Sequence, residues 1–245
     1  MKKFILLIFL SFILVLAFFI MTTQNQLKTY LLKSTTTSIP TTPTTLSQGD
    51  INIIDKTISE DIDNYIIDIH YPQTQIQIID DNIYDHIEKQ IKEFKEAVSI
   101  PSPNGAKTTL MINYKTVFNQ EDVLSIKFET EAYTGGAHPS HLIWTKNFIV
   151  SDQAEIPFDH VITNDLMLKT IADYSLKYFK DQKLEYNLFE EGFEPKKENY
   201  QVFNLTKDTI VIYFNEYQIA PYAAGNFSIE IPYEVLDAAS LDDSN

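Results

Sequence analysis

Apolar residues recur with a helical period in two segments of the chain. In the first, the apolar positions are spaced by 4, 4, 3 and 4 residues, which places them on one face of an α-helix: Ile83, Ile87, Ile91, Phe94 and Val98. The residues 80–82, Asp-Asp-Asn, are typical of a helix start. In the second, Asn164 and Asp165 precede Met167, Ile171, Tyr174 and Tyr178, and this pattern predicts a capped second helix.

Strict alternation of apolar and polar residues predicts strands. It is clearest at Leu124, Ile126, Phe128, Thr130 and Ala132, which alternate with polar or charged neighbours and indicate a strand with one wet face. Further strands are predicted at residues 61–71, 110–115, 142–150, 201–204, 209–214 and 227–231. Strands with interspersed helices and no regular β–α–β alternation indicate an α+β fold, with antiparallel sheets packed against two main helices.

The N-terminus predicts a membrane anchor. Lys2 and Lys3 precede residues 4–21, an apolar run interrupted only by Ser11. At about 1.5 Å per residue this run nearly spans the ~30 Å hydrocarbon core of a bilayer. The positive flank places residues 1–3 in the cytoplasm and the rest of the chain outside, as a single-pass protein of the cell membrane. The alternative is a signal peptide whose cleavage leaves a secreted or periplasmic protein.

Composition divides the remainder of the chain. Residues 22–49 are rich in Thr, Ser and Pro and predict an extended linker. A Pro- and Gly-containing stretch, residues 101–105, separates a small α+β subdomain at residues 50–103 from a larger α+β module at residues 104–238. Residues 239–245 form an acidic tail.

The charge of the chain excludes some classes of partner. The formal net charge is −15, and beyond Lys2 and Lys3 there are 17 lysines against 34 acidic residues, a charge of −17. There is no arginine, so phosphate recognition has no guanidinium fork and we expect no nucleic-acid partner. The acidity is typical of a solvated surface and attracts cationic partners at long range. Cysteine is absent, which excludes disulfides and thiol nucleophiles.

The chemistry-bearing residues concentrate in residues 133–141, Tyr-Thr-Gly-Gly-Ala-His-Pro-Ser-His, between two predicted strands. One interpretation is a tight connection between antiparallel strands, in which the glycines supply positive φ and His138 bonds local backbone. The sharper hypothesis is a loop that presents a contact surface to a partner. A turn-rich segment at residues 217–225 adds two aromatic residues. The binding candidates are Tyr133, Gly135, Gly136, His138, His141, Trp144, Tyr217 and Tyr222.

Catalytic chemistry has little support in the sequence. His138 and His141 lie three residues apart with Glu129 and Glu131 upstream, but a His-x-x-His pair in a loop is a weak zinc signal. A catalytic zinc needs three protein ligands. There is no Gly-x-Ser-x-Gly elbow and no phosphate-binding glycine loop. We therefore predict no catalytic residues, no bound metal and no cofactor, and a protein that is not an enzyme.

Two segments resemble a known bacterial module. YTGGAHPSH, followed by a strand, and YQIAPYAAGNFSIEIPYEVL resemble the outer region of RsiV-like lysozyme-sensing anti-sigma factors. The same module precedes the catalytic domain of PdaC-like peptidoglycan deacetylases. DNYIIDIHYP and the helix after it resemble the smaller domain that comes first in these proteins. The resemblance covers about residues 50–238.

The resemblance implies a function outside the cell. Only three residues precede the apolar segment and no catalytic domain follows the module, so we expect neither sigma-factor sequestration nor deacetylation. The resemblance implies a membrane-anchored extracytoplasmic module that binds a cell-wall glycan or a cationic, lysozyme-like hydrolase. The alternatives are a metal-dependent cell-wall hydrolase that uses His138, His141 and Glu131, and a purely structural envelope protein.

Overall fold

Residues 50–98 and 105–240 are described in the computed structural model, where they form two β-sheets and two long helices. This confirms the predicted α+β class. Within these residues no helix is both long enough and apolar enough to cross a bilayer. The predicted anchor at residues 4–21, the linker at residues 22–49 and the end of the acidic tail lie outside the described residues.

The first sheet has six strands in sequential order. They are β1 (Ile54–Asp61), β2 (Tyr65–Gln73), β3 (Thr108–Gln120), β4 (Val123–Tyr133), β5 (Ser140–Ile149) and β6 (Ala154–Glu155). The pairs are antiparallel except β2–β3, which is parallel. The prediction of antiparallel sheets is therefore correct for all pairs but one, and the described part of the chain contains one β–α–β crossover. The sheet draws strands from both sides of the predicted boundary at 103/104.

The crossover is made by α1 (Gln77–Ala97), whose apolar stripe was predicted. Ile79, Ile83, Ile87 and Phe94 are buried in the core of the first sheet. The helix begins five residues before Asn82, and Asp80 does not cap its N-terminus as predicted. Instead the Asp80 carboxylate accepts hydrogen bonds from the Thr74 N–H and hydroxyl, at 2.7 Å each, and from the backbone of Gln75. It fixes the turn between β2 and the helix.

The second sheet and the remaining helices form another core. The sheet comprises β7 (Phe203–Leu205), β8 (Thr209–Phe214) and β9 (Phe227–Pro232), all antiparallel. The helices are α2 (Phe158–Val161), α3 (Asp165–Asp181) and α4 (Tyr233–Ser240). The Asn164 side chain accepts a hydrogen bond from the backbone N–H of Met167 at 2.7 Å, which confirms the predicted cap of α3.

A buried polar cluster joins the two sheets. The Ser125 hydroxyl on β4 donates to the amide oxygen of Asn147 on β5 at 2.6 Å. It accepts from the Asn204 amide at 2.8 Å and from the backbone N–H of Leu205 at 3.0 Å, both on β7. The amide of Asn147 donates to the Phe203 carbonyl at 2.9 Å. The three polar side chains are at most 2% exposed, so these bonds fix the second sheet against the first.

Candidate functional site

The stretch at residues 133–141 connects β4 to β5. The two strands pair antiparallel, with Glu131 opposite His141, and residues 134–139 form the turn between them. Gly135 has φ of +93°, a conformation that a residue with a Cβ rarely adopts. The His138 Nδ1 lies 2.8 Å from the Pro139 carbonyl oxygen and donates to it. The predicted strand connection and local backbone bond are both confirmed, whereas the predicted positive φ holds for Gly135 but not for Gly136.

The turn-rich segment at residues 217–225 packs directly against this turn. The Tyr222 ring stacks on the His138 ring with 3.8 Å between centroids and 27° between planes. The Tyr222 hydroxyl donates to the Pro139 carbonyl oxygen at 2.9 Å. The Tyr217 ring lies 5.7 Å from that of Tyr222, is 60% exposed, and its backbone has φ of +64°. Three rings from segments about eighty residues apart thus form one cluster, which we call the aromatic platform: His138, Tyr217 and Tyr222.

His141 lies beside the aromatic platform, between two carboxylates. Its Nδ1 is 2.7 Å from one Glu216 oxygen, and its Nε2 is 3.5 Å from Glu131. The other Glu216 oxygen accepts the backbone N–H of His141 at 3.1 Å. Asn215 exchanges two hydrogen bonds with the backbone of Ile143, at 2.6 and 3.0 Å. The residues after β8 therefore supply the hydrogen bonds that a further strand would give to this edge of β5.

A cavity of about 330 Å³ opens next to His141. Its apolar lining is Met111 and Leu142, which are 37% and 46% exposed. Its polar lining is rich in oxygen atoms: Asn113, Glu129, Thr130, Glu131, Glu216 and Asn226. The amide oxygen of Asn226 is buried and has no hydrogen-bond partner among the described residues.

The field at this site is negative. The pKa of Tyr222 is raised above its ordinary value, first by loss of hydration and then by the negative charges of Glu216 and Glu131. Lys127 forms an ion pair with Glu129 and offsets one of the three carboxylates. No lysine lines the cavity itself. The site therefore favours ligands that carry positive charge or hydrogen-bond donors.

The structure brings together some of the predicted site residues and separates others. His138, His141, Tyr217 and Tyr222 lie together, with Gly135 in the turn that positions them. Trp144 is only 6% exposed. Its ring stacks on Phe128 at 3.8 Å, and its indole N–H donates to Thr130 at 3.0 Å. Trp144 is thus part of the core and lies outside the aromatic platform.

Two predicted residues take other positions. Tyr133 is the last residue of β4 and is half-buried, while Gly136 is exposed at the turn. Sequence reasoning missed Glu216 and Asn226, which flank the turn-rich segment at residues 217–225. Their polar side chains immediately beside a motif segment were the available signal.

The described residues show no geometry that supports the alternative of a metal-dependent cell-wall hydrolase. In residues 50–98 and 105–240 no three His, Asp or Glu side chains are arranged to hold a metal ion. His138 donates to backbone and stacks on Tyr222, while both ring nitrogens of His141 face carboxylates.

Comparison with known proteins divides the described chain into two adjacent matches. Residues 58–141 match the family model "Deacetylase PdaC", and residues 145–234 match "Protein of unknown function (DUF3298)". Among curated proteins, the chain is 32% identical over 174 residues to the peptidoglycan-N-acetylmuramic acid deacetylase PdaC of Bacillus subtilis. The match includes 69% of this chain and 37% of the deacetylase.

Solved structures show the same fold. A DUF3298 family member from Bacteroides fragilis superimposes with a TM-score of 0.53 at 17% identity, and one from Pseudomonas aeruginosa with 0.52 at 11%. Each match covers 78% of this chain and 94% of the other, a larger share than residues 145–234 alone. One region of this chain thus matches the PdaC model and the next matches the DUF3298 model, which confirms the predicted resemblance to the PdaC-like proteins.

Proposed function

We propose that this chain is a binding module of the bacterial cell envelope and that its ligand is a glycan strand of the cell wall. The observation that carries the proposal is the aromatic platform beside the cavity. Aromatic faces pack against the apolar C–H faces of sugar rings, while carboxylate and amide groups accept hydrogen bonds from sugar hydroxyls. The site offers both at once, with Tyr217 largely exposed and Glu131 and Glu216 on the cavity wall.

The relatives support a connection with the cell wall. The Bacillus subtilis relative is named for its action on peptidoglycan N-acetylmuramic acid. Because this chain covers 37% of that protein, its activity is not transferred to this chain, and the proposal is binding without catalysis. In the proposal residues 4–21 anchor the chain in the membrane, N-terminus inside, and the two sheets lie outside. Cleavage of those residues as a signal peptide leaves the same module secreted or periplasmic.

A pull-down with insoluble peptidoglycan tests the proposal. The full-length chain should sediment with the polymer, and Tyr217→Ala should weaken binding at least about fivefold, since loss of one stacking face costs about 1 kcal/mol or more. Tyr186→Ala is the matched control, because Tyr186 is also exposed, at 42%, and lies outside the aromatic platform. If the unmodified chain stays in the supernatant, the glycan proposal is refuted.

A second candidate ligand is a cationic, lysozyme-like hydrolase. The charge of −17 beyond the first lysines favours it, because such a surface attracts basic proteins over a Debye length. Calorimetry should then show binding to lysozyme at low ionic strength that weakens steeply with added salt. Absence of heat at low ionic strength removes this candidate. If neither peptidoglycan nor lysozyme binds, the purely structural envelope protein is the remaining alternative.

A further inference from the structure

The cavity beside the aromatic platform presents acceptors for hydrogen bonds. Glu131 is 46% exposed, so its carboxylate is accessible to a ligand. Glu216 adds a second carboxylate at the same wall, and Asn226 also lines the cavity. Carboxylates accept strong hydrogen bonds from N–H groups, so this wall favours a ligand rich in N–H donors.

The charges leave a surplus of negative charge. Glu129 is offset by Lys127, whereas among the described residues Glu131 and Glu216 are paired only with His141. No lysine lines the cavity, so a cationic ligand meets no lysine charge of its own sign there. A single ammonium group is small enough for a volume of about 330 Å³ and supplies three N–H donors.

We propose that the site is specific for glycans with free amino groups, that is, amino sugars without the N-acetyl substituent. The platform stacks one sugar ring, and the cavity takes the ammonium group of that ring or of its neighbour. An acetamido group in the same place is neutral, bulkier and has one N–H donor instead of three, so the attraction between opposite charges is lost. This inference rests on the proposed glycan function and narrows it to a chemical class.

Calorimetry with two matched sugars tests the inference. The full-length chain is titrated at about 0.15 M ionic strength with the tetramer of glucosamine and with the tetramer of N-acetylglucosamine. We expect the glucosamine tetramer to bind at least about tenfold more tightly. Glu131→Gln should remove most of this preference. Glu185→Gln should leave it unchanged, because Glu185 is an exposed carboxylate that does not line the cavity.

The outcomes distinguish failure of the amino-sugar specificity from failure of the proposed glycan binding. Equal binding of the two tetramers overturns the amino-sugar specificity and leaves glycan binding in place. Binding of neither tetramer, together with no binding of peptidoglycan, overturns both. A short oligolysine that binds with the same dependence on Glu131, when neither sugar does, assigns the cavity to protein side chains and also overturns the inference.

Discussion

Replacement of Ser125 by alanine should destabilise the protein strongly, because its hydroxyl is the centre of the buried polar cluster that joins the two sheets. The substitution removes three hydrogen bonds of 2.6, 2.8 and 3.0 Å in a place where the serine is fully buried. It leaves the methylene of the side chain in place, so it creates almost no cavity. The cost therefore comes from the partners that lose their bond.

The size of the stability loss depends on which hydrogen-bond partners of Ser125 keep another bond after the substitution. The Asn204 amide retains a longer contact of 3.4 Å with the amide oxygen of Asn147, so these two groups are partly compensated. The backbone N–H of Leu205 bonds only Ser125 among the described residues and is left unpaired. An unpaired buried donor costs about 1–3 kcal/mol, and two weakened bonds add about 1 kcal/mol. We expect a loss of about 2–4 kcal/mol, or roughly 5–15 °C in Tm.

Urea unfolding measures this loss with a control that the chain itself provides. Trp144, the single tryptophan, is buried in the first sheet and reports its unfolding by fluorescence, while circular dichroism reports both sheets. Ser175 on α3 is equally buried, but its hydroxyl has no hydrogen-bond partner among the described residues. Ser175→Ala should therefore be neutral or slightly stabilising. A Ser125→Ala variant within about 0.5 kcal/mol of the parent, or an equally damaged Ser175→Ala variant, contradicts the reasoning.

Three further predictions concern single residues. Gly192→Ala should lower the free energy of unfolding by about 3 kcal/mol or more, because the added Cβ lies 2.1 Å from a backbone oxygen. Gly136→Ala is the control in thermal melts: the atom nearest to its added Cβ is 4.0 Å away, so its Tm should be nearly unchanged. Tyr200→Phe should cost about 1–2 kcal/mol in urea unfolding, because the buried hydroxyl donates to a carbonyl at 2.7 Å. Burial lowers the pKa of His86 below 6.5, so the unfolded chain binds a proton more readily and stability should fall as pH drops below about 6.5. His86→Gln should flatten this part of the Tm–pH curve, and an unchanged curve would contradict the role of His86.

Local pattern predicted the elements that have a clear period. The stripe from Ile83 to Phe94, the cap at Asn164 and the alternation of β4 all follow from contacts within one element. The strand β1 was missed because its residues are mostly exposed, and only Ile58 packs against the core from its middle. The early start of α1 was missed because its N-cap, Ile76, has no side chain that can bond the helix end.

The periodic patterns in the sequence could not predict contacts between residues that are far apart in the chain. The stacking of Tyr222 on His138 joins residues 217–225 to residues 133–141, and no periodic pattern links these two segments. Only the family resemblance, in which both segments occur together, connected them. The parallel pairing of β2 with β3 depends on the path of α1, because a strand has the same pattern in either direction. The burial of Trp144 depends on packing against Phe128 and α1, since the same alternation places it on either face.

The course of β5 has a consequence for how such proteins evolve. The PdaC match ends at residue 141 and the DUF3298 match begins at residue 145, so both borders fall inside this one strand, Ser140–Ile149. A gene rearrangement at that border cuts a strand in two and separates β7 from Ser125, which accepts two of its hydrogen bonds. Recombination is therefore expected to move the two regions between proteins as a single cassette, with new domains joined before β1 or after α4.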